Sequence, residues 1–394
     1  MADAGKIKKV ARRIHSAREK GDDVVVVVSA MGDTTDDLIK LACQVTKKPV
    51  ERELDVLLST GEIVSSTLLA MALRELGCPA ISLSGAQAGI RTDAAYNRAR
   101  IVDFSPKRIN KELENGNVVI VAGFQGITEE MDVTTLGRGG SDTTAVALAA
   151  GLKAKECQVY TDVDGVYTAD PRIVKGARIL DEIGYKEMLE LASYGARVMH
   201  PRAVELGELF NIPILVASSF NNKPGTLIHG GASMEVRNRV TAITYNMDVA
   251  KITVVGVPDR PGIAAAIFEP LAQAGISVDT IVQNASVEKI TDLTFTVAKG
   301  DLDKAIEVIK PIASEICARE FLSDTRLGEV SVIGTGMQNA PGYAATMFGS
   351  LSRDGINIQL ITTSEIRITC IISEDRVKDA VKALHKAFAL EQGK

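Results

Sequence analysis

A glycine-rich stretch, VTTLGRGGSDTTAVALAAGL (133–152), carries the residue types best suited to holding an anion. Gly137, Gly139 and Gly140 allow the backbone to approach a ligand closely, and the polar residues 141–144 can cap the apolar helix that follows. Free N–H groups at a helix start attract anions, and Arg138 can bind a carboxylate or phosphate through two hydrogen bonds. The alternative is a buried helix that is merely capped after a glycine-rich loop.

A second stretch, VVVVVSAMGDTTDDLIKLA (24–42), joins a β-branched run to a helix that is predicted to begin near Thr34 or Thr35. So continuous a run is typical of a strand buried on both faces. The hydroxyl and N–H groups after Ser29 would then gather at the carboxyl edge of a parallel sheet, where ligands bind. An ordinary capped loop between strand and helix is the alternative.

Two further stretches carry carboxylates. In YTDVDGVYTADPRIV (160–174), Asp162, Asp164 and Asp170 are predicted to cluster in a loop, which suits the neighbourhood of a nucleotide and its Mg²⁺; a solvated acidic turn is the alternative. In LLSTGEIVSS (57–66), Glu62 is predicted to stand at the head of a helix, where an acidic residue often does no more than favour the helix dipole.

The elements that position these stretches alternate along the chain. Apolar, β-branched runs separated by helical patterns predict a mostly parallel sheet with helices on both faces, with strands at 24–29, 80–84, 118–123, 157–162 and 213–218. A segment rich in Gly, Pro, Asn and charge, 221–239, marks a domain boundary.

An internal repeat follows that boundary. Residues 259–286 align without a gap with residues 339–366, sharing Pro-Gly, two Ala, Phe, Leu, Gly and two Ile. Strand and helix patterns around each copy give the order β-α-β-β-α-β, which is a ferredoxin-like α+β module. The Pro-Gly falls where the first helix begins, so free N–H groups there could bind a carboxylate.

Composition excludes several classes of protein. The 394 residues exceed one ordinary domain, and a formal charge of −5 gives no reason to expect nucleic acid or anionic lipid as a partner. Five cysteines without C-x-x-C spacing and four scattered histidines suggest neither a disulfide framework nor a metal site. No membrane span or signal sequence is expected, and we expect a cytoplasmic protein.

Taken together, SAMGDTTD, VAGFQG, TTLGRGGSDTTA, YTDVDGVYTADPR and HPRAVE resemble the aspartate kinases of the amino acid kinase family, in that family's order. The resemblance implies a kinase domain over 1–230, a linker over 231–248, and two ACT-type regulatory modules over 249–325 and 326–394. It also implies transfer of the ATP γ-phosphoryl group to the β-carboxylate of L-aspartate, which is the first step toward lysine, threonine and methionine.

The resemblance assigns roles to individual residues. Arg138 would hold the α-carboxylate of aspartate and Glu62 its amino group, with Asp142 as an orienting charge beside Arg138 in catalysis. The rest of the substrate would contact Thr35, Gly139, Gly140 and Ser141. ATP, with Mg²⁺ held mainly through its phosphates, would be bound by Ser29, Thr161, Asp162, Tyr167, Asp170, Pro171, Arg172 and Arg197.

For the repeats, the resemblance implies feedback control by lysine, threonine or both, through an oligomer formed by the modules. The predicted effector-binding positions are Asp259, Gly262, Ala264, Asp279, Gln283, Asn357, Ile358 and Glu365. Met234 lies where some members of the family start a separate regulatory subunit; a linker methionine is the alternative.

The first residues differ from the family pattern. Lys6–Lys20 is predicted to be an amphipathic helix, and in aspartate kinases this helix follows a strand with a K-[FY]-G-G motif that cradles phosphates. We expect that strand to be missing here, through a late assigned start or a natural truncation, and ATP binding to be weak. Two other functions stay open: a kinase for N-acetylglutamate, glutamate or UMP, or a non-catalytic amino-acid-binding regulator with a degenerate kinase domain.

Overall fold

The computed structural model describes residues 3–196, 198–230, 239–284, 290–337 and 340–392. The chain forms two compact units. The first unit comprises Met1–Val166, Ile179–Ala192 and Arg197–Ala232. The second comprises Tyr167–Arg178, Ser193–Ala196 and Ser233–Lys394.

Up to residue 230, helices and short strands alternate. In chain order they are α1 (Ala4–Glu19), β1 (Val25–Val28), α2 (Thr34–Val45), α3 (Glu51–Glu75), β2 (Ala80–Leu83), α4 (Gly85–Ala88), β3 (Ile90–Thr92), β4 (Ile101–Phe104), α5 (Lys107–Glu114), β5 (Val118–Ala122), β6 (Gln125–Ile127), β7 (Val133–Thr135), α6 (Gly140–Gly151), β8 (Cys157–Thr161), β9 (Glu182–Gly184), α7 (Tyr185–Ser193), α8 (Pro201–Phe210), β10 (Ile214–Ser218) and β11 (Thr226–His229).

Three sheets organise this unit. One has the order β1-β5-β2 and is wholly parallel. The second, β8-β10-β11-β9, pairs β8 with β10 and β11 with β9 in parallel, and β10 with β11 antiparallel. The third, β4-β3-β6-β7, is smaller. The five predicted strands all form, and the predicted α/β fold is confirmed.

Strand β5 shows why helices cover both faces of its sheet. All five residues of β5 are buried, and their side chains alternate between two cores because successive residues of a strand point to opposite faces. Val118 and Ile120 pack with apolar residues of α1 and α3. Val119 and Val121 pack in a second core with residues of α5 and α6.

The prediction that Val24–Val28 forms a strand covered on both faces is confirmed, with Val26 and Val28 against one core and Val25 and Val27 against the other, but its burial is only partial. Val25, Val26 and Val27 are only half-buried, and Val28 alone is buried. Among the described strands, β1 pairs with β5 only, so it stands at a sheet edge. Hydrophobic continuity could not distinguish an edge strand from a central one.

The second unit holds both copies of the repeat. Its elements are β12 (Arg239–Asn246), β13 (Ala250–Pro258), α9 (Ile263–Gln273), β14 (Ile281–Gln283), β15 (Ile290–Val297), α10 (Leu302–Glu315), β16 (Glu320–Asp324), β17 (Leu327–Thr335), α11 (Tyr343–Arg353), β18 (Ile358–Thr363), β19 (Arg367–Ser373) and α12 (Val377–Ala387). The first copy forms an antiparallel sheet of order β14-β15-β13-β16 over its own core.

The second copy borrows a strand from outside itself. Its sheet has the order β12-β17-β19-β18, so β12 takes the edge position beside β17 that β16 takes beside β13. The predicted linker 231–248 therefore contains a strand of the second module, and the first module is inserted between β12 and β17. The two copies have the predicted ferredoxin-like architecture, but the second is completed by chain that precedes the first.

Although no membrane span is expected from the sequence, α3 is long and apolar enough to cross a membrane by length and composition. Half of its apolar stretch is buried inside the protein, and buried Asp55 and Glu62 on α3 accept hydrogen bonds from other elements. Internal carboxylates of this kind are typical of a core helix in a globular unit.

Candidate active site

The glycine-rich loop before α6 has backbone geometry that only glycine adopts easily. Gly139 is the N-cap of α6 with φ of 69°, and a Cβ atom there would stand 2.4 Å from the Cβ of His200. No side chain caps this helix. The prediction that residues 141–144 supply capping oxygens is wrong, because the hydroxyls of Thr143 and Thr144 donate to the carbonyls of Gly139 and Gly140. The first turn thus keeps its N–H groups clear of side-chain acceptors.

Ser141 lies at the carboxyl edge of the parallel sheet. Gly123, directly after β5, donates its N–H to the Val28 carbonyl at 3.0 Å. A Cβ atom on Gly123 would stand 2.9 Å from the Ser141 hydroxyl. The ends of β1 and β5 and the start of α6 therefore meet at one edge, which is where parallel sheets bind ligands. Ser29 and Thr35 flank the same strand end; Ser29 is exposed and Thr35 is half-buried.

Glu62 is the most unusual side chain at this edge. It lies in the middle of α3, not at the head of a helix as predicted, and is 3 % exposed. Its Oε1 accepts from the Ala30 N–H at 3.1 Å, while its Oε2 is buried and has no hydrogen-bond partner among the residues that the structure describes. Burial raises the pKa of Glu62 to about 7. A buried carboxylate oxygen without a partner is costly, so this geometry suits a cationic ligand group.

Arg138 and Asp142 occupy different environments. Arg138 is exposed in the loop, and Asp142 is half-buried in the first turn of α6. Asp142 Oδ2 accepts from the backbone N–H of His200 at 3.3 Å, and burial raises the pKa of this carboxyl. The contact ties the start of α6 to the residue before α8.

The predicted nucleotide residues divide between the two units. Thr161 is the last residue of β8 in the first unit, and Asp162 follows it. The Thr161 hydroxyl donates to Asp162 at 3.1 Å. Asp164 is bound by Lys223 at 2.6 Å and Asn221 at 2.8 Å, and its pKa is lowered by the Lys223 contact. Asp164 thus has a cation and an amide as partners, and the predicted acidic cluster stays a prediction.

Tyr167, Asp170, Pro171 and Arg172 belong to the second unit. Asp170 accepts from the Arg172 guanidinium at 2.8 to 3.2 Å and from the Tyr245 hydroxyl at 3.0 Å. The preceding Thr168 hydroxyl lies 3.0 Å from His385 Nε2 on α12. Arg197 lies outside the described residues, so its predicted contact with the nucleotide is not described.

Most predicted effector positions are exposed. Gly262 caps α9 with φ of 93° and open space around its Cβ position, as expected for a ligand-accessible helix start. Asp279 accepts from the Tyr194 hydroxyl at 3.1 Å, and Gln283 ends the edge strand β14. The remaining positions, all exposed except the half-buried Ile358, are Asp259, Ala264, Asn357, Ile358 and Glu365. Met234 lies outside the described residues.

Sequence reasoning missed two side chains that hold the glycine-rich loop. Asp55 on α3 is fully buried and accepts four hydrogen bonds from Asn97 and Thr135. Arg202, in the HPRAVE stretch, donates to the carbonyls of Leu136 and Ala99, each at 2.9 Å. The available signal was spacing, because Asp55 stands seven residues before Glu62 and thus on the same helical face.

No group of three His, Cys, Asp or Glu side chains that could hold a metal ion occurs within the described ranges.

Comparison with known proteins identifies the family. The amino acid kinase family matches residues 1–218, and the ACT domain matches 251–313 and again 330–388. The chain belongs to the amino acid kinase family and carries two ACT domains after the kinase domain.

Individual relatives show which kinases of this family the chain is similar to. An aspartate kinase from Stutzerimonas stutzeri is 50% identical over 388 residues, covering 98% of this chain and 94% of the relative. Escherichia coli aspartokinase III in complex with aspartate and ADP superposes with a TM-score of 0.83 at 26% identity, covering 98% of this chain and 97% of the other. The same enzyme with lysine and aspartate gives a TM-score of 0.74 at 25% identity, covering 97% and 96%. The family predicted from the motifs is confirmed.

Proposed function

We propose that this protein is an aspartate kinase that transfers the γ-phosphoryl group of ATP to the β-carboxylate of L-aspartate, giving 4-phospho-L-aspartate. The observation that carries the proposal is the buried, unpartnered Oε2 of Glu62 beside the Ala30 N–H. Relatives of nearly the full length that bear the aspartate kinase name support it.

The Glu62 carboxylate favours a substrate with a free amino group. An ammonium group beside Oε2 would supply both the missing hydrogen bond and the missing positive charge, which stabilises the ionised form of Glu62. An acylated amine carries no charge to offset the buried carboxylate. N-acetylglutamate and UMP lack the required ammonium, so Glu62 favours aspartate or glutamate over both.

The loop residues would hold the acidic end of the substrate. The exposed Arg138 guanidinium can bind the α-carboxylate in a two-bond arrangement, and Asp142 can orient the positive groups around it. Gly139 and Ser141 can present backbone N–H and hydroxyl donors at the uncapped start of α6, whereas the Gly140 N–H donates to the Gly137 carbonyl at 3.0 Å and the missing side chain of Gly140 leaves room for the substrate. A carboxylate nucleophile is ionised at neutral pH, so no general base is needed.

Hydroxyl and carboxylate groups at the ends of β1 and β8 are chemically suited to a nucleotide and its Mg²⁺, and the predicted contacts there are Ser29, Thr161 and Asp162. The other predicted nucleotide contacts, which belong to the second unit, are Tyr167, Asp170, Pro171 and Arg172. Mg²⁺ bound to the phosphates supplies charge neutralisation during phosphoryl transfer. The protein's own part is alignment of acceptor and donor and electrostatic stabilisation, which is most of what this reaction requires.

The ACT modules support feedback control by lysine, threonine or both. The ligand would bind at the uncapped α9 start near Gly262 and contact Asp279 and Gln283, in a cytoplasmic homo-oligomer. A relative crystallised with lysine supports an amino acid effector. A non-catalytic amino-acid-binding protein is the competing function, and the feature that favours it is the ion pair between Asp170 and Arg172, in which two predicted nucleotide contacts bind each other at 2.8 Å.

Exchange of Glu62 tests the proposal. We expect Glu62→Gln to raise the KM for aspartate by roughly 100-fold, because it removes a charged hydrogen bond worth about 1.5–3 kcal/mol. The KM for ATP should stay near its original value. Coupled measurement of ADP release at varied aspartate and ATP separates the two constants.

The matched control is Glu112→Gln, which changes a buried glutamate that binds Asn117 and Arg108 on α5. It should leave both constants unchanged. Equal activity of the wild-type protein with N-acetylglutamate or UMP would assign another kinase function, and binding of amino acids without ADP release would favour the regulatory protein.

A further inference from the structure

The loop that carries Arg138 is held at two points by side chains that are remote from the substrate edge. On one side, Asp55 Oδ2 accepts from the Thr135 N–H at 2.8 Å and Oδ1 from the Thr135 hydroxyl at 2.7 Å. Thr135 ends β7, so this contact fixes the last strand residue three positions before Arg138. A side chain with no exposed surface thereby determines where the loop leaves the sheet.

The same carboxylate holds a second loop against the first. Both Asp55 oxygens accept from the Asn97 N–H, at 3.1 and 3.0 Å. Asn97 has φ of 63°, and its carbonyl oxygen would stand 2.9 Å from a Cβ atom on Gly137. Asp55 therefore presses the 93–99 loop onto the glycine that precedes Arg138.

Arg202, in the first turn of α8, is the second side chain that holds the loop carrying Arg138. Its Nη1 donates to the Leu136 carbonyl and its Nη2 to the Ala99 carbonyl, both at 2.9 Å. One planar guanidinium thus spans the same two loops that Asp55 connects. Leu136 is further fixed by its N–H, which donates to the Phe124 carbonyl at 2.9 Å.

Helix α3 joins this anchor to the substrate edge. Asp55 and Glu62 are separated by two helical turns, about 10 Å along the axis, on one face. A rigid helix between them fixes the position of Glu62 relative to the strand end that leads to Arg138. Among possible substrates, only those whose amino group and carboxylate match that spacing can bind both residues.

We infer that Asp55 and Arg202 are positioning residues that set the spacing between Glu62 and Arg138, and so select the amino and carboxylate groups of the acceptor without contacting it. The inference rests on the proposed aspartate kinase function. It assigns the two residues no part in nucleotide binding or in the transfer itself.

The test uses Asp55→Asn and Arg202→Lys in the full chain. Asparagine keeps the shape of Asp55 but turns one acceptor into a donor that faces N–H groups, and lysine can reach only one of the two carbonyls. Each variant should raise the KM for aspartate roughly 10- to 100-fold, the scale of a misplacement of about 1 Å. The KM for ATP should change by less than about twofold.

Matched controls make the same chemical changes elsewhere in the unit. Arg74→Lys alters another arginine that donates to a backbone carbonyl, that of Ala80 at 2.8 Å, and Glu112→Gln neutralises another buried carboxylate. Neither should change the KM for aspartate. Far-ultraviolet circular dichroism and the KM for ATP verify that each variant is folded.

The possible outcomes distinguish failure of the positioning role from failure of the proposed aspartate kinase function. Wild-type protein that releases no ADP with aspartate overturns the proposed function. Active wild-type protein with an unchanged aspartate KM in folded Asp55→Asn and Arg202→Lys overturns the positioning role alone. A parallel rise of both KM values, or the same rise in the controls, also overturns it, because a general structural role would produce that result.

Discussion

Removing the charge of Glu62 should prevent the loss of stability that the wild type undergoes as pH rises, while it weakens substrate binding. The pKa of Glu62 is raised from 4.5 to about 7 by burial. Between these pH values the folded protein holds a proton that the unfolded chain releases, so the free energy of unfolding falls as pH rises through this window. The difference of about 2.5 between the two pKa values corresponds to about 3 kcal/mol above pH 7.

Glu62→Gln removes this pH-dependent cost. Relative to the wild type, we expect the variant to gain roughly 2.5 kcal/mol of stability on going from pH 5 to pH 8. The substitution also buries an amide NH₂ group where the described residues offer Oε2 no partner, and this costs stability. That cost is the same at both pH values, so it cancels when the two values are compared.

Hydrogen exchange of the α3 amides at both pH values, corrected for intrinsic rates, measures the stability of the unit that contains Glu62. Glu112→Gln should show no such gain. If the stability difference between Glu62→Gln and wild type were the same at pH 5 and pH 8, the buried, ionisable description of Glu62 would be refuted. Aspartate at a concentration that saturates the wild type should stabilise the wild type much more than the variant, because the variant binds aspartate more weakly.

Three further predictions concern other sites. Gly139→Ala should lower kcat/KM for aspartate by roughly 100-fold, because its Cβ would overlap His200, whereas Gly21→Ala, with a similar positive φ but open surroundings, should leave activity unchanged in the same ADP-release assay. Asp279→Asn and Gln283→Ala should each raise the inhibitory concentration of lysine or threonine and preserve uninhibited activity; unchanged inhibition curves would argue against this effector site. A thiol reagent should label the native protein only at the exposed cysteines, as read by mass spectrometry, and modification of a buried thiol would contradict the packing; the exposed pair is Cys43 and Cys317, and the buried set is Cys78, Cys157 and Cys370.

Much of the fold could be predicted because it depends on local periodicity. The spacing of apolar residues predicts both strand β5 and the amphipathic helix α1, whose buried residues are Ile7, Ala11 and Ile14. The duplicated Pro-Gly likewise gave both module helices their starting points at Gly262 and Gly342.

Long-range pairing could not be predicted in the same way. No local sequence pattern in residues 239–246 predicts that this strand pairs with β17, some 80 residues later in the chain, and not with a nearer strand. The edge position of β1 has the same cause, because pairing partners and not composition decide whether a valine run lies at the centre or at the edge of a sheet.

For the site, residue types could be predicted but their partners could not. Glu62 and Arg138 follow from the motifs, whereas the free Oε2 of Glu62 depends on which backbone groups α3 meets in the folded unit. Asp55 has no motif of its own and takes its importance from Asn97 and Thr135, 42 and 80 residues away. Buried positioning groups are defined by tertiary contacts, so sequence spacing alone leaves them out.

The most direct test of the central claim is the identity of the phosphorylated product. Protein incubated with ATP, Mg²⁺ and L-aspartate should form an acyl phosphate that hydroxylamine traps as the β-hydroxamate of aspartate, identified by mass spectrometry, and Glu62→Gln should form far less at low aspartate. Absence of that hydroxamate from the wild-type reaction, or formation of the γ-hydroxamate of N-acetylglutamate when that acceptor is supplied but of no hydroxamate from aspartate, would contradict the account.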